Sequence, residues 1–112
     1  MVTGSTRVRV GDGTGEAVVE RRLDDEFHIL YPSGARRSVH RRNVASPGYA
    51  TPAETELLQA LDAAGDSGLR YPANHLRDAV LYLTSIGFTV EDGPVLLLTT
   101  KGRAALDRLE GR

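Results

Sequence analysis

The residues whose types and spacing best suit chemistry form one run, Arg36-Arg37-Ser38-Val39-His40-Arg41-Arg42. Four arginines and a histidine fall within these seven residues. A guanidinium presents a planar fork of donors that grips a phosphate through two parallel hydrogen bonds. On a strand, alternation puts Arg36, Ser38 and His40 on one face and Arg37, Val39 and Arg41 on the other. Arg36, Arg37, His40, Arg41 and Arg42 are therefore the candidate nucleic-acid contacts, tracking a phosphate backbone. The competing reading is a charged strand that deters edge pairing and is balanced by Glu16, Glu20 and Glu26 on neighbouring strands.

Catalysis has little to work with. His28, His40 and His75 lack metal-ligand spacing, and the chain has no cysteine. Glu54 and Glu56 suit the first turn of a helix, where carboxylates complement the dipole. Asp24-Asp25-Glu26 suits a turn. No nucleophile and base are forced together, so no enzyme activity, metal, cofactor or small-molecule substrate is expected. Gly11-Asp12-Gly13-Thr14-Gly15 is not read as a phosphate cradle. A dinucleotide fingerprint needs a helix next, and a Walker loop needs a Lys-Ser/Thr pair. Residues 16–20 instead continue as a strand, which makes the loop a glycine-rich corner.

The elements that must carry the arginine run are short strands. Residues 7–10 alternate polar and apolar. Residues 26–31 place Phe27, Ile29 and Tyr31 on one face, and Tyr31-Pro32-Ser33-Gly34 is a β-turn. Residues 35–41 form the partner strand, and Asn43-Val44 starts a last one. Short strands with glycines at the corners predict a small closed barrel. It resembles a Tudor-like or KOW-like barrel. The glycine-rich first loop followed by Ala17-Val18-Val19 also resembles the RNA-polymerase-binding barrel of CarD and transcription-repair coupling factors. Neither resemblance carries a functional residue over. An aromatic cage for methylated side chains is not supplied, since Phe27, Tyr31 and Tyr49 are the only aromatics in or near this part.

The second half reads as helical. Thr51-Pro52-Ala53-Glu54 combines a cap, a first-turn proline and a capping-box glutamate. Leu57, Leu58, Leu61 and Ala64 then face inward, and residues 65–68 end the helix. Pro72 suits the first turn of the next helix, which runs to Ile86 with Leu76, Ala79, Val80, Leu83 and Ile86 as its apolar stripe. Gly87 stops it. Residues 88–90 and 95–98 are short strands flanking a Glu91-Asp92-Gly93-Pro94 turn. Thr99 caps a last helix that buries Ala105, Leu106 and Leu109. Helix, glycine, hairpin, then Leu98-Thr99-Thr100-Lys101-Gly102 and a helix resembles the C-terminal half of winged-helix regulators of the MarR and PadR types.

The fold class expected is α+β: a small N-terminal β-barrel of four to five strands, residues 1–46, plus a reduced winged-helix domain, residues 47–112. The domain is reduced because residues 66–72 leave room for one turn where such regulators carry a further helix. The resemblance implies DNA-associated regulation, with Asn74, Arg77, Asp78, Leu81 and Ser85 on the outer helix face toward DNA or a partner.

Charge divides unevenly between the halves. Residues 1–49 carry eight arginines and six carboxylates, a balance of +2. Residues 50–112 carry six basic and nine acidic groups, a balance of −3. Positive charge is the usual footprint of nucleic-acid binding. DNA is therefore the partner expected for the barrel arginines, and a protein partner or a second copy of the chain is the alternative for the helix face centred on Leu81. No apolar run approaches the roughly 20 residues of a membrane helix, and the first ten residues are not signal-like. No membrane partner and a cytoplasmic location are expected.

Overall fold

β-Branched residues alternating with charged ones build the first strands. In the computed structural model, which describes residues 6–70 and 72–111, β1 (Thr6–Val10), β2 (Gly15–Arg22), β3 (Glu26–Leu30), β4 (Arg36–His40) and β5 (Val44–Ala45) form one antiparallel sheet. Its order is β4-β3-β2-β1-β5. Val8, Val10, Ala17, Ile29, Val39 and Val44 form its core, with Val19, Phe27 and Tyr31 packed against them. The sheet curls into a half-barrel, not the closed barrel expected, because β5 offers two residues and both pair with β1, Arg9 opposite Ala45 and Val10 opposite Val44. A 3-10 turn, Arg41–Asn43, leads from β4 into β5.

These strands make up the unit Met1–Pro52; Ala53–Arg112 is a second unit. The overall class is α+β. The second unit is built on α1 (Pro52–Ala64), α2 (Arg77–Ser85), a hairpin of β6 (Thr89–Asp92) and β7 (Val95–Leu98), and α3 (Thr100–Leu109). Leu57, Leu58 and Leu61 of α1 meet Leu76, Leu83, Leu96 and Leu106 in its core. Leu69 adds a bridge beside β7, exchanging backbone hydrogen bonds with Leu96 at 2.9 and 2.8 Å.

Local chemistry sets the junctions. At the end of α2 the Gly87 N–H donates to the Thr84 carbonyl at 3.1 Å, and the Phe88 N–H donates to the Leu83 carbonyl at 2.9 Å. This pair is a Schellman cap, which needs the left-handed backbone that Gly87 adopts at φ 83°. Thr99 ties the two ends of the hairpin to α3. Its hydroxyl donates to the Gly87 carbonyl at 2.6 Å and accepts from the Gly102 N–H at 3.0 Å. Gly102 is glycine because a Cβ there would run into the Phe88 carbonyl. The threonine and glycine of the Leu98–Gly102 stretch are thus both required by packing.

Three expectations are corrected. The second helix does not start at Pro72. A 3-10 turn, Asn74–Leu76, precedes α2, and it is held to α1 by His75 Nε2 at 2.7 Å from Glu56 Oε2. Glu91 and Asp92 lie in β6 opposite Leu96 and Val95, which leaves Gly93-Pro94 alone as the turn. Leu109 is exposed, because Ala105 and Leu106 fill the buried side of α3 before the helix ends.

Candidate nucleic-acid interface

Strand β4 positions the arginine run, but not as one continuous cationic face. Val39 points into the core opposite Phe27, and Arg37 shares that side of the strand, opposite Ile29. Arg36 lies on the other side and directs Nε to Glu20 Oε1 at 3.0 Å. Arg37 places Nη1 at 2.7 Å from Asp12 Oδ2 and 3.0 Å from the Tyr31 hydroxyl. His40 caps the 3-10 turn, its Nδ1 accepting the Arg42 N–H at 3.1 Å and Arg42 Nε at 3.2 Å. Arg41 is exposed, its backbone N–H given to the Asp25 carbonyl at 2.9 Å. No partner for its guanidinium is found among the described residues.

The run is therefore split between two ends of the sheet. At the end where β4 begins, Arg36 and Arg37 are matched to carboxylates. The balancing role expected of Glu20 is real, and Glu16 sits 3.5 Å from Arg7 rather than from the run. Where β4 ends, Arg41 stands open and Arg42 rests on His40. The same end receives the close of β2. A register shift between Val19 and Arg21 brings Arg21 opposite His28 and Arg22 opposite Phe27. Arg22 lies 5.1 Å from the Phe27 ring centre and donates to Thr6 Oγ1 at 3.3 Å. Arg21 is exposed, and its side chain has no partner among the described residues. Arg22, Arg41 and Arg42 thus lie at the end of the sheet that the β2–β3 turn closes with Asp24, Asp25 and Glu26, and Arg21 lies one residue further in on β2. Arg21 and Arg22 lie outside the arginine run of residues 36–42. The signal available was a second arginine pair one hairpin away from the first.

Burial also shifts the charge balance around Asp12. Burial pushes its carboxyl up, but hydrogen bonds from Thr14 and Arg37 outweigh this and leave it below the usual aspartate range. The hydrogen bond to Asp12 raises Arg37 in turn. Both groups are therefore charged at neutral pH.

On the second unit, α2 carries Arg77, Leu81 and Ser85 exposed and Asp78 half-buried. Asn74 belongs to the preceding 3-10 turn, so the helical wheel that placed it with them does not run through it. Ser85 gives its hydroxyl to the Tyr82 carbonyl at 2.6 Å. Among the described residues, no three His, Cys, Asp or Glu side chains come together as a metal site. No helix among them is long and apolar enough to cross a membrane. Comparison with known proteins returns no matching family, no matching curated protein and no matching solved structure.

Proposed function

We propose that this is a non-enzymatic DNA-associated protein whose first unit, a Tudor- or KOW-like half-barrel, holds the phosphate backbone, and whose second unit is a reduced winged helix. The observation that carries the reading is the pair of exposed, unmatched guanidinium groups, Arg21 and Arg41, at one end of the sheet, flanked by Arg22 and Arg42. Arginines with no carboxylate to satisfy them lose little on meeting a phosphate, since no existing pair has to be broken. The winged-helix reading draws on the order of α1, the Leu69 bridge, α2, hairpin and α3. The single turn before α2 leaves that unit without a full extra helix, and its balance of −3 over residues 50–112 suits a role other than gripping DNA. Anisotropy with random duplex and single-stranded DNA tests this. Binding that weakens steeply with salt supports it, and no binding to either at low salt overturns it.

A second reading, docking of a protein partner or a second copy through α2, is favoured by Leu81, which is 59% exposed at the middle of that helix. Association in light scattering that Leu81→Arg abolishes supports the homodimer form. A strict monomer at high concentration removes it.

A further inference from the structure

We propose that Arg37 and Tyr31 form a second phosphate-binding position in the first unit, and that Asp12 occupies it as an internal stand-in for the phosphate. This rests on the nucleic-acid reading above and adds to it a site that is closed by the protein itself.

The geometry around Asp12 is that of an anion held by converging donors. Its Oδ2 accepts from Arg37 Nη1 at 2.7 Å. Its Oδ1 accepts the Thr14 N–H at 3.0 Å and the Thr14 hydroxyl at 2.6 Å. The Thr14 proton is committed to Asp12, so the Tyr31 hydroxyl, 2.7 Å away, donates to Thr14 Oγ1. Tyr31 in turn accepts from Arg37 at 3.0 Å. The Thr14 donors share the loop with Asp12 and would move with it, so a phosphate taking its place meets the Arg37 guanidinium and the Tyr31 hydroxyl.

The source of its carboxylate separates Arg37 from its neighbour Arg36. The carboxylate on Arg36 belongs to Glu20 of β2, within the paired sheet. The carboxylate on Arg37 belongs to the loop between β1 and β2, whose residues 11–15 read Gly-Asp-Gly-Thr-Gly. Withdrawal of Asp12 would break no strand pairing, since the ladder resumes at Gly15 and the loop's own backbone bonds run from Gly11 to the Asn43 carbonyl and from Gly13 to the Val10 carbonyl. The position is also reachable, with the Arg37 side chain 42% exposed. Withdrawal would leave Arg37 and the Tyr31 hydroxyl facing solvent at the start of β4, at the opposite end of that strand from the 3-10 turn that carries Arg41.

The test is DNA affinity of the full chain at several salt concentrations. Asp12→Asn keeps the acceptor for the Thr14 N–H and removes the negative charge that faces Arg37. It is expected to bind duplex DNA more tightly than the parent at low salt. The slope of log affinity against log salt should steepen by about 0.9, one added phosphate contact, which is roughly a 3.5-fold greater loss over a fourfold rise in salt. Arg37→Ala placed in the Asp12→Asn chain should erase both changes, whereas Arg7→Ala in that chain, which restores the same net charge from another exposed arginine of the unit, should not. Circular dichroism checks folding, and Asp12→Ser, with a hydroxyl acceptor for the same N–H, replaces Asp12→Asn if the latter unfolds. Parental binding with unchanged affinity and slope in Asp12→Asn overturns the masked site and leaves the nucleic-acid reading standing. No binding by parent or variant at low salt overturns both.

Discussion

Truncating the leucines of β7 one at a time should give three different stabilities, because the strand alternates between the core of the second unit and its outer surface. Leu96 is 4% exposed and belongs to the core with Leu57, Leu61, Leu83 and Leu106. Leu98 is half-buried and packs against that core, whereas Leu97 is half-buried outside it. Leu96→Ala removes a fully packed side chain and leaves a cavity, which costs about 3 kcal/mol. Leu98→Ala should cost about 1–2 kcal/mol and Leu97→Ala less than about 1 kcal/mol, scaling with the apolar area each loses. Urea unfolding of the full chain gives the free energies. Amide exchange in α1 and α3 assigns them to the second unit, since two units need not unfold together. A Leu97→Ala cost equal to or above that of Leu96→Ala would refute the register, because a slip of one residue exchanges the two faces of the strand.

Gly102→Ala should destabilise the second unit by about 1–3 kcal/mol despite the better helix propensity of alanine, since the added Cβ meets the Phe88 carbonyl. A rise in melting temperature would contradict that contact. In a carboxyl-carbon NMR titration Asp12 should have a midpoint below that of an aspartate in an unstructured peptide. Its folded value is depressed, so the stability that its contacts with Thr14 and Arg37 supply is present above the unfolded value and is lost as pH falls through the folded one. A midpoint at or above the unstructured-peptide value would mean the contacts do not persist in solution.

Much of the fold could be read from the chain because the signals were local. Tyr31-Pro32-Ser33-Gly34 closes a turn in which the Gly34 N–H donates to the Tyr31 carbonyl at 2.9 Å. Gly87 and Thr99 end and begin helices as their types predict. What was misread depended on contacts distant in sequence. The start of α2 is set by His75 reaching Glu56, and the open edge of the sheet follows from the shortness of β5. The candidate site was half legible. The arginine density of residues 36–42 is plain in the sequence, but the neutralisation of Arg37 comes from Asp12, 25 positions away. The register of Arg21 opposite His28 follows from a shift in the pairing of β2 with β3, which the strand's own alternation does not show.

The most direct measurement of the proposed function is the salt dependence of DNA binding for the parent, for Arg21→Ala with Arg41→Ala, and for Arg77→Ala. Each phosphate contact contributes about 0.9 to the slope of log affinity against log salt. Removing the two open arginines should flatten the slope by up to about 1.8 and weaken binding similarly for all sequences. Arg77→Ala, on a helix face that also carries Asp78, should leave both affinity and slope unchanged. A silent arginine pair with Arg77 indispensable would contradict the proposal and move DNA recognition to α2.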